Sequence, residues 1–395
     1  MVAYNRTYFD RVIDRNGTES TKWDRHACGL DTSRDQLPLW LADMDFATSE
    51  EITAALMARA AHPIYGYTDR GPQYQELFAE RFSSTHGGVN PDQVVLSTGV
   101  MYSIAAALEE FTRPGDGVLI MKPCYHPFVV TTEQLGRTPI YVSLIDTERG
   151  FEIDEDALDK AAASCRALLL CNPHNPTGRV FSVKELCYFG AVCERYGLVA
   201  ISDEIHCDFV YGPNVFTSLA AVSPYAREHG VCCVSPTKSF NLAGLKVSAA
   251  IINNQSMFDR FRTRAKVTGI NSINLFAMEA IKAAYRQSND WQHSLLSYLE
   301  GNRELIARFV DESSDYVHAH TPEGTYFFWL HFPGQRDAAL HLASDEGVIL
   351  SPGTDFDARL SEWARLNFAC PRSVLSEALV RIRRWGGDQQ ERLVR

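Results

Sequence analysis

Between two apolar runs, residues 231–234 and 247–252, lies Ser235-Pro236-Thr237-Lys238-Ser239-Phe240-Asn241-Leu242-Ala243-Gly244-Leu245-Lys246. A lysine drawn out of water loses its proton more readily, which suits its amine to imine formation with a carbonyl compound. Ser235, Thr237 and the second cation, Lys246, add two hydroxyls and a charge of the kind that holds a phosphate. The same residues also read as a surface loop whose lysine points to water. The segment by itself leaves both readings open.

Three stretches upstream bear on the choice. Ser97-Thr98-Gly99-Val100-Met101 puts a glycine and main-chain amides where a strand turns into a helix. Such a terminus presents N–H groups and a partial positive charge to an anion, although most turns of this kind bind nothing. It lacks the Gly-x-Gly-x-x-Gly spacing of a dinucleotide site. Cys171-Asn172-Pro173-His174-Asn175-Pro176-Thr177-Gly178 is more specific. Its two Pro steps force an extended, stiff backbone just past a strand end, where open α/β sheets place ligands, and an amide fixed there can donate to a phenolate. Ile201-Ser202-Asp203-Glu204-Ile205-His206 ends an apolar strand in a carboxylate. Buried, Asp203 needs a cation, either a protonated pyridine nitrogen or an arginine in the core.

The elements that must position these residues follow from the hydrophobic pattern. Strands are predicted over 94–97, 118–121, 140–142, 167–171 and 198–202, with helices over 100–111, 155–163 and 182–195. Strands alternating with helices read as α/β with a mainly parallel sheet. After residue 252 the pattern turns helical, over 256–266, 275–286 and 291–310, followed by strands at 326–332 and 347–350 and a closing helix at 373–385. Residues 4–35 read as an N-terminal arm, 37–46 as an apolar segment ending in Asp43 and Asp45, and Ser49 as the cap of a helix to about residue 61. Ile64-Tyr65-Gly66-Tyr67-Thr68 reads as an ordered aromatic loop. The domain division expected is 1–48 as arm and part of a small domain, 49–285 as the large domain and 286–395 as the C-terminal small domain.

Composition narrows the class. At 395 residues the chain has ample length for a core, and 45% hydrophobic with 22% charged residues is ordinary for a globular protein. A net charge of -11 argues against nucleic acid or an anionic membrane as partner. The N-terminal residues lack the apolar stretch of a signal peptide, and no apolar run reaches the roughly 18 residues of a membrane span. The ten cysteines are scattered without a Cys-x-x-Cys pair. Reduced thiols and a cytoplasmic location are expected, and His206-Cys207-Asp208 or His26-Ala27-Cys28 are weak candidates for metal ligands.

In their order, these motifs make the sequence resemble the fold-type I pyridoxal-phosphate enzymes of the aspartate aminotransferase superfamily. Within it the chain is similar to the MalY/PatB group of cystathionine β-lyases. The resemblance runs through 9–24 (FDRVIDRNGTESTKWD), WLADMDFAT at 40–48, YGYT at 65–68, PCYHPF at 123–128, CNPHNPTGRV, SDEIH, TKSFNLAGL, GTYFFWL at 324–330 and RLNFACPRS at 365–373. It implies a seven-stranded, mainly parallel sheet in a large cofactor domain, with a smaller α+β domain formed by both chain ends. It implies that Lys238 carries pyridoxal phosphate as an imine and later takes the substrate Cα proton. Asp203 then pairs with the pyridinium nitrogen, Asn175 donates to the ring oxygen and Tyr125 stacks on the ring. Val100, Met101, Ser235, Lys246 and Tyr67 of a partner subunit hold the phosphate. Arg365 clamps the substrate carboxylate, a bidentate geometry that lysine does not reproduce, with Asn175 and Asp43 also toward substrate.

The resemblance is not uniform. Lys246 stands where many relatives carry an arginine, and His206 where aminotransferases carry a tyrosine; His331-Phe332-Pro333-Gly334 is shortened, which touches side-chain preference. The implied activity is α,β-elimination on cystathionine or another S-substituted L-cysteine by a cytoplasmic homodimer with its active site at the subunit interface. The alternatives are an aminotransferase, or a biosynthetic enzyme that eliminates from or decarboxylates a large cysteine conjugate. A binding protein that kept the fold without activity is a further reading.

Overall fold

Seven short strands, almost continuously apolar, form the central sheet: β1 (Val94–Ser97), β2 (Gly117–Lys122), β3 (Thr138–Ser143), β4 (Cys165–Cys171), β5 (Val199–Asp203), β6 (Gly230–Val234) and β7 (Ser248–Ile251). Runs of this kind are buried on both faces by helices, except in β3, where only Val142 is buried. The structure is a computed structural model and describes residues 4–24, 35–69 and 71–394, with the side chains of the last helix as far as residue 387. The strands lie in the order β1-β7-β6-β5-β4-β2-β3. From β6 to β3 every neighbouring pair is parallel. β7 is the exception to the expected parallel pattern and runs antiparallel to both β6 and β1. The connection from β6 to β7 is the lysine segment rather than a crossover helix, so the chain turns back on itself.

Helices α1 (Glu50–Ala61), α2 (Gln73–Phe82), α3 (Val100–Phe111), α4 (His126–Gln134), α5 (Glu155–Ala162), α6 (Val183–Tyr196), α7 (Gln255–Thr268) and α8 (Leu275–Gln287) surround this sheet in sequence. Ser49 caps α1 by accepting from the Ile52 N–H, as its position predicts. α6 opens with a Ser182–Glu185 capping box and ends at Gly197, whose φ of 65° is the left-handed turn-off that glycine permits. α2 was not foreseen, because Pro72 stands at its N-cap and offers no capping side chain. Its Tyr74, Leu77, Phe78 and Phe82 nonetheless form one buried stripe at helical spacing. Beneath α3, Ile104 and Leu108 pack with Val118, Ile120, Leu169 and Ile201 of the sheet.

The chain divides into two compact units, one of Thr48–Asn175 with Arg179–Gln292, the other of Met1–Ala47, Pro176–Gly178 and His293–Arg395. α9 (Asn289–Glu312) begins in the first and ends in the second. In the second unit β8 (Phe327–His331), β9 (Ser351–Pro352) and β10 (Trp363–Asn367) form an antiparallel sheet in the order β8-β10-β9. α10 (Ala338–Glu346) and α11 (Arg372–Val394) accompany it. Leu37–Pro38 pairs in parallel with Val348–Ile349, which joins the two chain ends in one unit. Among the described residues no helix is long and apolar enough to cross a membrane.

Candidate active site

Lys238 sits in a single helical turn, Pro236–Ser239, between β6 and β7. Between the enclosed and the exposed readings that its segment left open, Lys238 is half-buried. Ser235 caps the turn by accepting from the Thr237 N–H at 3.1 Å. The Ser235 hydroxyl donates to the Val247 carbonyl at 2.6 Å and lies 2.7 Å from the Thr237 hydroxyl. Holding the lysine turn closed is therefore its task here, and donating to a phosphate would require its proton to turn. Lys246, eight residues on, is exposed and takes a left-handed φ of 55°.

Asp203 is the last residue of β5, flanked by Cys171 of β4 and Cys233 of β6. It is 5% exposed, and its Oδ1 accepts from the Ile205 N–H at 3.1 Å. Burial pushes its carboxyl up from 3.8 to about 7 against that hydrogen bond; the neighbouring Glu204 adds to the rise and the charge of Lys238 draws it down. A carboxylate in this position is stabilised by a cation placed against it. A pyridinium nitrogen is such a cation.

The Asn-Pro segment divides its amides. Asn172 is spent on the fold: its N–H donates to the Asp203 carbonyl at 3.0 Å, its Oδ1 accepts from Phe181 N and its Nδ2 donates to Thr217 O. Asn175, three residues on, is also buried. His174 between them is held neutral, its pKa pulled down to about 3 by burial and by Arg179. Tyr125 stands at the N-cap of α4, half-buried, with its ring edge-to-face on Phe128 at 5.6 Å. His206 is buried, its ring 6.4 Å from Phe209.

At the start of α3, Gly99 has a φ of 150° and brings no side chain to cap the helix. A Cβ there would lie 3.3 Å from the Tyr102 ring, so the position favours glycine. Val100 and Met101 occupy the first turn, where N–H groups have no partner within the helix and face an anion well. These features fit pyridoxal phosphate: an anion cradle, a buried acid for the ring nitrogen and an amine in one unit. Tyr67 also belongs to this unit and is fully exposed, on a loop with exposed Ile64 and Tyr65.

Arg365 and Asp43 belong to the other unit. On β10, Arg365 is 5% exposed and its Nη2 donates to the Trp40 carbonyl at 2.8 Å and Ser351 Oγ at 3.2 Å. Its guanidinium lies over Phe327 at 4.2 Å and Phe356 at 5.0 Å. Asp43, expected toward substrate, is held by Arg15 at 2.8 Å. It belongs to a network in which the fully buried Lys22 and Arg15 both contact Asp45 at 2.7 Å.

Two groups escaped the sequence. Asp208 accepts from Arg81 at 2.7 Å and from Ser239, next to Lys238. His86 and Glu204 form a buried pair at 2.7 Å, and Glu204 also accepts from Ser202 and Ser218. Among the described residues His86, Glu204 and Cys232 are a trio with donor atoms within 4.8 Å, which these hydrogen bonds tie together. Asp208, weighed above as a metal ligand, is instead bound to Arg81, and Cys28 lies outside the described residues. The nine cysteines described are free thiols, seven of them buried. Nothing periodic or local links Arg81 to Asp208, so only the pairing of charges in three dimensions reveals them.

Comparison with known proteins places this geometry. The family model of aminotransferase class I and II matches residues 34–382. Cystathionine beta-lyase PatB of Bacillus subtilis (strain 168) is 35% identical over 382 residues, covering 95% of this chain and 98% of its own. Protein MalY of Escherichia coli (strain K12) is 33% identical, covering 94% and 96%. A pyridoxal-phosphate-bound C-S lyase from Staphylococcus hominis, solved with L-cycloserine, superimposes with a TM-score of 0.87 at 28% identity, covering 95% and 97%. With an Asp at the end of β5, a lysine turn after β6 and the match of its sequence, the chain belongs to the aminotransferase class I and II family.

Proposed function

We propose that this protein is a pyridoxal-phosphate-dependent carbon-sulfur β-lyase acting on cystathionine or a related S-substituted L-cysteine. The observation that carries the reading is Asp203, a buried carboxylate raised to about 7 and under the influence of the Lys238 charge. The relatives PatB and MalY and the S. hominis C-S lyase support the choice of chemistry. Bound pyridoxal phosphate supplies the sink for the electron pair released at Cα. Lys238 is the base that takes the Cα proton, and Asp203 keeps a positive charge on the ring nitrogen. Asn175 would donate to the ring oxygen, Tyr125 would lie against the ring, and the first turn of α3 would hold the phosphate. Arg365 binds the substrate carboxylate. Loss of the Cα proton and of thiolate from Cβ leaves aminoacrylate, which water converts to pyruvate and ammonia.

The protein works in the cytoplasm as a homodimer in which the loop around Tyr67 reaches the phosphate of the other subunit. Full exposure of Tyr67, beside Ile64 and Tyr65, supports this part of the reading. The test is incubation with cystathionine and with S-alkyl cysteines in the absence of a keto acid. Repeated release of thiol, pyruvate and ammonia is expected. A single half-turnover that stops until a keto acid is added would make the protein an aminotransferase and overturn the proposal.

A further inference from the structure

The turn that carries Lys238 is four residues long and does not hold its shape alone. Its main chain is tied at both sides: Leu242 N–H donates to the Thr237 carbonyl at 2.8 Å, and Thr48 Oγ1 donates to the Phe240 carbonyl at 2.8 Å. Those contacts fix the flanks. The residue that follows the lysine, Ser239, is completely buried, and its hydroxyl donates to Asp208 Oδ2.

Asp208 is held in turn. Its Oδ1 accepts from Arg81 Nη2 at 2.7 Å, and the same nitrogen donates to Gln292 Oε1 at 2.6 Å. Asp208 lies five residues beyond Asp203 on the segment that leaves β5, while Ser239 lies on the segment that leaves β6. One carboxylate therefore joins the segment bearing Asp203 to the turn bearing Lys238. The amine and the acid must grip opposite ends of one pyridine ring, so their separation has to be set closely, and a shift of about 1 Å can cost about 100-fold in rate.

We propose that Asp208, anchored by Arg81, is a positioning residue that sets the separation of Lys238 from Asp203 through Ser239. This rests on Lys238 being the cofactor lysine. Arg81 fits the task because the nitrogen that donates to Asp208 also donates to Gln292, so the cation that holds the carboxylate is itself held in place.

The test uses cofactor-free protein mixed with pyridoxal phosphate, trapped with borohydride at successive times and mapped by peptide digestion. Melting temperature is measured in parallel. In the wild type the label is expected on Lys238. Ser239→Ala and Asp208→Asn are expected to label the same residue about 10- to 100-fold more slowly, a loss on the scale of that displacement. Arg81→Lys, which keeps a charge at Asp208, is expected to lose less than Arg81→Ala. Asp154→Ala, which removes the cap of α5, serves as a control that lowers the melting temperature and leaves the labelling rate unchanged. If Asp208→Asn does not fold, Ser239→Ala alone decides. Labelling of Ser239→Ala and Asp208→Asn at the wild-type rate, with only the melting temperature moved, overturns the positioning role. Wild-type label on a different lysine overturns the cofactor reading itself, and the clamp with it.

Discussion

A carboxylate kept in a buried strand end, with its proton held to near neutrality, costs the bare fold stability that a bound cation recovers. Asp203 has an ordinary value of 3.8 and a folded value of about 7. Below pH 3.8 it is protonated in both states and carries no penalty; the penalty grows as pH rises between the two values and is complete above about 7. A shift of that size corresponds to on the order of 4 kcal/mol. Cofactor-free Asp203→Asn should therefore melt above the wild type at pH 8, with the gap closing toward pH 4, as scanning calorimetry at the two pH values would show. The same substitution should weaken retention of pyridoxal phosphate on dialysis. With Lys238 in its proposed role of base and covalent anchor, elimination by Lys238→Ala should fall by about 10² to 10⁴-fold or more, with loss of borohydride trapping, in a steady-state thiol assay.

Among the elements, α3 is finished differently at its two ends. Its N-terminus follows Gly99, which brings no capping side chain, while its C-terminus is closed by Arg137. Arg137 is 8% exposed; its Nε donates to Thr112 Oγ1 at 2.9 Å and its Nη2 to the Thr112 carbonyl at 2.9 Å and the Leu108 carbonyl at 3.3 Å. A cation there satisfies carbonyls that the helix leaves unpaired and complements its negative end. Arg137→Ala should destabilise the protein by about 2–4 kcal/mol, read from the urea midpoint, because buried carbonyls lose their donor. At the β5 strand end two neighbouring acids differ: burial raises the pKa of Asp203, while Glu204, one residue later, is paired with His86, which holds its pKa down despite burial.

For the whole molecule, the sheet places strand ends and the turns after them where sequence-distant groups meet. The proposed homodimer is tested at the exposed loop around Tyr67. Light scattering should give twice the 44.3 kDa mass of one chain. Tyr67→Phe should weaken pyridoxal phosphate binding about 10- to 100-fold through loss of a hydrogen bond to a charged group. The melting point of the cofactor-free protein should stay put, since the substitution removes one hydroxyl and keeps the ring.

The sequence by itself determined what is local. The strand-turn-helix step at Gly99, the lysine segment between two apolar runs, the Asp at the end of β5 and the order of these motifs could be read because each couples a hydrophobic period to a neighbouring chemical group. Tertiary structure alone decided that β7 runs antiparallel, that Ser235 spends its proton on Val247, and that Lys22 and Arg15 bind Asp45. It alone joined Arg81 to Asp208, 127 positions apart. Pairings of that kind leave no period in the chain, because a charge finds its partner by distance in space, which only the packed sheet and helices set.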